Sequence, residues 1–458
     1  MPITKRELVD SYGSLALAGN ASLFIGAGLS RSAGYPDWNE LLREPRNSAQ
    51  IPESIKDLPL AAEYYIQQEP GGRDALNAHI LKSLGAVEPK PSNGHAAMAR
   101  LPIKDLWTTN YDDLIESHTA PLIVVEEDKH FKVPGERRLV KMHGSLGGDP
   151  LQWRAKPVIG RSDYESYEDK HPRMWSALRA AYLTRSFLFL GFSFSDPNVE
   201  ILLRLARRLP ESGPEHFTVL RRPSGEADLK EHQLRVADLE NSGVAVCEID
   251  EYEEIEDILA RLVRRTRQPT VFISGSERFE GYNTDLGFRI GAQLAAHPLR
   301  LASLAGQPAL DVSFGFANIR RSSQQYKAED IAFYFRAKEG EETLQLQQRS
   351  GVMIHTNLEQ DPLRAEVLDE CRVCILIGGG PRTFEEGQLA MRLRVPMVPL
   401  PFTGGSAQAL YVGTDPVAAL QLVESQPAAE ADWKLLAHSD INVALAALDR
   451  LTAAAAFV

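Results

Sequence analysis

Cysteine is scarce: Cys247, Cys371 and Cys374 are the only three in 458 residues. Three thiols within one chain build neither a disulfide framework nor a four-thiolate zinc site, and such a chain suits a reducing compartment. Long apolar runs are missing as well. Residues 1–10 lack the basic start and apolar stretch of a signal peptide, and no run reaches the roughly 18 to 20 apolar residues that cross a bilayer. The expectation is a cytoplasmic protein without a membrane partner or a metal. Positive charge is in deficit, with 50 Lys and Arg against 62 Asp and Glu and a net charge of -12. That balance argues against a protein that chiefly grips nucleic-acid phosphates, and it leaves room for a local basic pocket that holds one small anion.

What is present is ordinary globular material, 43% apolar and 24% charged, in a chain longer than one core usually organises. Short apolar runs at residues 21–25, 106–109, 139–142, 186–190, 216–220 and 244–248 alternate with helical patterns, including residues 199–209 and 251–267. Such alternation predicts an α/β fold built on a doubly wound parallel sheet. After Gln268-Pro269 it restarts, with strands expected at residues 270–273, 309–314 and 373–377. Two Rossmann-like domains are therefore expected, 1–267 and 268–458. The polar stretch 320–350 reads as exposed helix and loop, and the alanine-rich end, 441–456, as a terminal helix docked on the second domain. Cys371 and Cys374 have the spacing of a redox or metal pair, but no second pair completes a site, and core packing explains them better.

Four elements in the first domain stand where strands end, which is where ligands bind in such sheets. Gly26-Ala27-Gly28-Leu29-Ser30 follows the first strand, where the backbone turns tightly or approaches a phosphate, and Asp37 lies a few residues on. Thr108-Thr109-Asn110-Tyr111-Asp112 puts an uncharged amide after the second. Asn110 there either caps the next helix or holds a water or a ribose hydroxyl. Lys141-Met142-His143-Gly144 ends a strand with a histidine, a residue that by itself is usually structural. Gly191-Phe192-Ser193-Phe194-Ser195-Asp196 ends another with small and polar groups.

Together, in this order and at these spacings, the four elements resemble the sirtuin superfamily over residues 1–267. The resemblance implies that Gly26, Ala27, Gly28, Ser30 and Asp37 contact NAD+, that Gly191, Ser193 and Asp196 hold its adenosine side, and that Asn110 and His143 are catalytic. Two departures narrow the activity. Sirtuin deacetylases carry a zinc module of paired Cys-x-x-Cys elements, and residues 1–246 contain no cysteine. Trp38 stands where the deacetylases usually have Phe, and Thr108-Thr109-Asn110-Tyr111-Asp112 is the form associated with sirtuin-like NAD+ hydrolases of phage defence. Water is then the acceptor, with Asn110 orienting it and His143, at a pKa near neutrality, taking its proton.

In the second domain, Cys371-Arg372-Val373-Cys374-Ile375-Leu376-Ile377 runs into Gly378-Gly379-Gly380-Pro381-Arg382-Thr383, a strand meeting three glycines and then a helix. That geometry presents backbone N–H groups to an anion, unless the glycines only close tight turns. Ser274-Gly275-Ser276, Arg278 and a turn at Gly315 are expected to face the same crevice.

This half resembles, more loosely, the SLOG superfamily of nucleotide-binding proteins. Its hydrolases carry Pro-Gly-Gly-x-Gly-Thr-x-x-Glu. Here Gly378 stands for the Pro and Arg382 for the last Gly, with Thr383 and Glu386 kept, so the domain reads as a sensor. The resemblance implies signal-binding residues Gly275, Ser276, Arg278, Gly315, Gly378, Gly379, Gly380, Arg382 and Thr383. A sirtuin-like domain followed by a SLOG domain resembles the effectors of Thoeris anti-phage defence. That likeness implies a bacterial NAD+ hydrolase, homotetrameric, activated by a cyclic ADP-ribose-type signal that a partner TIR-domain protein makes. Two other functions stay open: a nucleotide-binding regulator without catalysis, and a sirtuin-type ADP-ribosyl transferase or deacylase.

Overall fold

A computed structural model of the chain describes residues 2–119, 122–131, 136–146, 152–192, 194, 196–206, 213–275, 282–337, 350–422 and 426–457. They form two compact units, Met1–Thr266 and Arg267–Val458, each an α/β layer structure around its own parallel sheet.

The strands of the first unit are β1 (Ala21–Ile25), β2 (Asp105–Thr108), β3 (Ile123–Val125), β4 (Arg138–Lys141), β5 (Ser145–Leu146), β6 (Trp153–Ala155), β7 (Ser186–Leu190), β8 (His216–Arg221) and β9 (Val244–Ile249). Seven of them pair in the order β3-β4-β2-β1-β7-β8-β9, all in parallel. The remaining two, β5 and β6, make a small antiparallel ribbon. Alternation along each strand sends neighbouring side chains to opposite faces. Leu23, Ile25, Leu106, Leu139, Leu188 and Leu190 therefore join one core with the helices Lys5–Leu17, Asn93–Ala99 and Glu254–Thr266. Phe24, Trp107, Val140, Phe187 and Phe189 join the other, against the helix Pro172–Thr184. Each such side chain, fully buried, contributes about 1.5–3 kcal/mol of hydrophobic stabilisation.

A third, smaller core holds the helices Trp38–Ser48, Leu58–Gln68 and Gly72–Gly85 over the ends of β2 and β4 through Leu41, Leu42, Leu76, Ile80, Tyr111 and Leu114. The chain leaves β1 to build one side of the sheet and returns to build the other from β7. The crevice between the C-terminal ends of β1 and β7 is thus the switch point, where such folds bind ligands.

The second unit repeats the plan with β10 (Thr270–Ser274), β11 (Arg300–Ser303), β12 (Ile331–Arg336), β13 (Val352–Thr356), β14 (Val373–Ile377) and β15 (Met397–Leu400), in the order β13-β12-β11-β10-β14-β15. Its switch point lies between β10 and β14. All five residues of β14 are buried, Cys371 and Cys374 belong to the core, and the helix Ile441–Phe457 buries Leu445, Leu448 and Leu451 in it. No helix among the described residues is long and apolar enough to cross a membrane.

Two expectations are overturned here. The stretch 309–314 is not a strand but part of the helix Gln307–Ser322, and Gly315 is no turn; it sits in mid-helix. The misreading has a physical cause. Leu310-Asp311-Val312-Ser313-Phe314 alternates apolar and polar residues, the pattern of a strand, although Pro308 to Ser313 are all buried in the helix. Gly315 serves the contact with the helix Thr284–Leu294, where an added Cβ would lie 2.1 Å from the Phe288 carbonyl oxygen. The polar stretch 320–350 likewise is not all surface, because Ile331 and Phe333 carry β12 into the core.

Gly315→Ala should therefore destabilise the second unit by about 1–3 kcal/mol, the usual cost of overpacking. Thermal unfolding of the variant beside the parent chain measures it, and an unchanged transition would contradict the helix contact.

Candidate active site

The glycines after β1 are there for close backbone approach. Gly28 N–H donates to the Gly191 carbonyl at 2.9 Å, and Gly26 N–H to that of Leu190 at 2.9 Å. An added Cβ would come within 2.5 Å of Gly191 O at Gly26 and within 2.8 Å of it at Gly28. Gly191 itself has φ +60°, and a Cβ there would lie 2.2 Å from the Leu29 nitrogen. Three of the residues expected at NAD+ thus lock the end of β1 onto the end of β7. Ala27 opens the short turn of helix that carries Ser30.

Asp37 acts locally. Its carboxylate caps the helix Trp38–Ser48, accepting from Glu40 N–H at 3.0 Å, and pairs with Arg31 at 3.2 Å. Ser193 lies outside the described residues.

Asn110 does not cap a helix. The next one, Leu114–His118, starts four residues later, and its first N–H donates to the Asp112 carboxylate at 3.2 Å. The Asn110 backbone N–H donates to Thr108 Oγ1 at 3.0 Å and its Nδ2 to Ser30 Oγ at 3.0 Å. Its Oδ1 is buried and has no partner. Asn110, Ser30, Tyr35, Trp38, Leu84 and Asp112 are among the residues lining one pocket of the first unit.

His143 emerges from the neighbouring strand. Thr108 and Lys141 are register partners in β2 and β4, so Asn110 and His143 each stand two residues past a matched pair. The imidazole is fully enclosed, edge-on to the Tyr164 and Tyr167 rings at 5.1 and 6.2 Å between centroids. Neither of its ring nitrogens makes a hydrogen bond. Gly144 must be glycine, since at φ +102° a Cβ would meet the Lys156 carbonyl at 2.8 Å.

Asp196 lies beside His143, with Oδ2 3.4 Å from Nε2. Burial pushes the His143 pKa below its ordinary 6.5; Asp196 and then Asp163 oppose the shift, and His171 adds to it. The expected value near neutrality is corrected downward accordingly. Burial thus favours the neutral imidazole, and Asp196 favours the charged one.

In the second unit, Gly275 and Gly378–Gly380 meet at the ends of the paired strands β10 and β14. Gly378 and Gly379 have φ of +54° and +83°. The Gly378 N–H donates to Thr403 Oγ1 at 2.7 Å, and the Gly379 and Gly380 carbonyls accept from Ser406 N–H and Oγ at 2.8 and 2.7 Å. Thr383 is buried in the first turn of the helix Pro381–Arg392. Arg382 Nε donates to Glu386 Oε1 at 3.1 Å, and Ser274 Oγ to Glu386 Oε2 at 2.5 Å. Ser276 and Arg278 lie outside the described residues.

Gly315 does not join this group. Reading the sequence missed the Arg364 pairs with Glu385 at 2.8 Å and Glu386 at 3.7 Å, since no motif marks Arg364. It also missed the network around Asp112 and Lys141, although both stood inside quoted motifs.

Residues 104–245 match the family model of the SIR2-like domain. The chain is 34% identical to the NAD(+) hydrolase ThsA of Enterococcus faecium over 297 residues, 59% of this chain and 61% of that protein. It is 33% identical to the NAD(+) hydrolase ThsA of Bacillus cereus (strain MSX-D12) over 275 residues, 56% of each chain, and 34% identical to that of Acinetobacter baumannii (strain 532279), again over 56% of each. The chain carries a SIR2-like domain, and it spans between 56% and 61% of the length of these curated relatives.

The Gly191 junction yields a stability test. Gly191→Ala should lower the thermal transition of the first unit by at least about 1–3 kcal/mol. Gly213→Ala, where a Cβ meets nothing within 4 Å, should change it little. Equal behaviour of the two variants would count against the junction.

Proposed function

We propose that residues 1–267 are an NAD+ hydrolase domain that converts NAD+ and water to ADP-ribose, nicotinamide and a proton. One observation carries the reading: Asn110 Oδ1 and His143 Nδ1 are buried without hydrogen-bond partners, just past the ends of adjacent strands. Buried polar groups are costly when unpaired, so groups left open in this way mark a place for a ligand. The likeness to proteins named NAD(+) hydrolase supplies the substrate.

The chemistry asks little of the protein's acids. Nicotinamide leaves as a neutral molecule with the electron pair of the C1′–N bond, so no general acid is needed, and the ribose passes through an oxocarbenium-like state. Asn110 Oδ1 accepts a hydrogen bond from water and aims its oxygen at C1′. As the C1′–O bond forms, the water's proton goes to neutral His143, and the Asp196 carboxylate stabilises the imidazolium. Gly26, Ala27, Gly28, Ser30 and Asp37 border the dinucleotide, and Gly191 and Ser193 its adenosine end. Hydrolysis needs neither metal nor redox cofactor in this scheme.

We propose also that residues 268–458 are a SLOG-type sensor of a cyclic ADP-ribose-type signal made by a TIR-domain partner. Gly275, Ser276, Arg278, Gly378, Gly379, Gly380, Arg382 and Thr383 would hold the signal. The support is the sequence resemblance together with glycines and an arginine gathered at a switch point. A signal activates only in so far as it binds the active arrangement more tightly than the resting one. A homotetramer in the bacterial cytoplasm, depleting NAD+ in anti-phage defence, completes the reading.

Nicotinamide release from NAD+, followed by chromatography with and without cyclic ADP-ribose isomers, tests both halves. Release should rise with one isomer and appear as free ADP-ribose. Labelled protein would point to a transferase, and NAD+ binding without release to a regulator. Asn110→Ala and His143→Ala should each lower kcat by about 100- to 10,000-fold in folded protein.

The pH profile follows from the direction of the His143 shift. With a folded pKa below 6.5, the base is in its active form at pH 6.5 and above. Activity should hold from pH 8 down to 6.5 and fall only at lower pH, as the imidazole takes up its proton. A limb centred above pH 7 would remove His143 from the role of base.

A further inference from the structure

Lys141 has no part in the hydrolysis itself, yet among the described residues of the first unit it is a fully enclosed cation, with a side chain 0% exposed. A buried ammonium is tolerated only when its charge is matched and its three donors are used. Here Nζ donates to the Asp112 carbonyl at 2.5 Å, the Tyr111 carbonyl at 3.3 Å and Glu116 Oε1 at 2.8 Å. Two of these acceptors are the backbone carbonyls of the two residues that follow Asn110. The third sits on the helix that begins just after. One cation at the end of β4 thus ties down the whole segment that carries the amide, while Arg138 and Asp105, register partners at the other end of the same strand pair, meet at 2.7 Å.

A second link concerns which way the amide faces. Asp112 is 6% exposed, its carboxylate accepts from the Leu114 N–H, and it lines the same pocket as Ser30. Ser30 Oγ has one proton. If that proton goes to an ionised Asp112, Ser30 can offer Asn110 only a lone pair, and a lone pair selects the Asn110 NH2 group. The carbonyl oxygen is then the end left for the substrate. Burial raises the Asp112 pKa, and Lys141 is the strongest influence that lowers it again.

We propose that Lys141 is a positioning residue for NAD+ cleavage. By clamping the Tyr111 and Asp112 carbonyls and matching the Asp112 charge, it fixes the Ser30 hydroxyl toward Asp112 and so holds the Asn110 amide with its carbonyl oxygen turned to the reacting sugar. The inference rests on the reading of this pocket as the hydrolase site and adds to it a reason for the amide's orientation. In Asp112→Asn the single carbonyl oxygen of the new amide is taken by the Leu114 N–H, and its NH2 faces Ser30. The Ser30 proton then turns to Asn110, and the Asn110 amide inverts, presenting a donor where an acceptor is needed.

The test compares kcat and KM for nicotinamide release by the full-length chain, by Lys141→Met and by Asp112→Asn, with circular dichroism and thermal unfolding to establish that each is folded. Misplacing a reacting group by about 1 Å costs about 100-fold. Both variants should therefore lose kcat by about that factor, with KM within about threefold of the parent's, because the pocket walls remain.

If Lys141→Met does not fold, Asp112→Asn alone decides, since it keeps the cation and all three of its partners. A folded variant with kcat within threefold of the parent's overturns the proposal and leaves the hydrolase reading standing. A rise in KM at unchanged kcat overturns it as well, because that is the mark of lost binding and not of lost orientation. A parent chain that releases no nicotinamide under any added cyclic ADP-ribose isomer overturns the hydrolase reading and this inference with it.

Discussion

Where β1 and β7 end, the Gly191 carbonyl accepts the Gly28 N–H at 2.9 Å, and no side chain can stand between the two backbones. That contact closes the switch point of the first sheet. It sets the height at which Ser30 leaves the turn, and Ser30 in turn meets Asn110. The same constraint recurs in the second sheet, where a Cβ on Gly275 would lie 2.7 Å from the Ile377 carbonyl. In each unit the glycines allow two parallel strand ends to approach until only backbone separates them, and the polar side chains of the candidate site are arranged from that fixed edge.

Burial then decides what those side chains do. Asn110 and His143 each follow a register pair of β2 and β4 by two residues; the amide lines the pocket and the imidazole is enclosed. The surroundings give them different properties. Tyr164 and Tyr167 enclose the imidazole and favour its neutral form, while Asp196 at 3.4 Å stands ready to match a positive charge if one develops. The amide is held through one end only, by Ser30, and the buried cation of Lys141 fastens the chain immediately after it.

Much of this was legible in the sequence. The runs that became β1, β7 and β14 are short, apolar and bounded by glycine, and a buried parallel strand needs that pattern. Motif spacing located Asn110 and His143 at strand ends. The helix Gln307–Ser322 was misread because Leu310 to Phe314 alternate apolar and polar residues, as a strand does. Ile331–Arg336 was missed because its buried residues are interleaved with half-exposed ones amid a polar stretch. The nearness of Asp196 to His143 was not legible, because it joins residues far apart in the chain. Lys141 and Asp112 were visible as letters, but their bond to the Asn110 segment spans two strands and appears only in three dimensions.

The central claim is that Asn110 and His143 address one sugar carbon. A crystal structure of the full-length His143→Ala variant soaked with NAD+ tests it most directly. The account predicts the nicotinamide ribose in the pocket beside Asn110, with C1′ within hydrogen-bonded reach of a water on Oδ1 and facing the space vacated at position 143. Density for the dinucleotide elsewhere, or with its nicotinamide end turned away from Asn110, would contradict it.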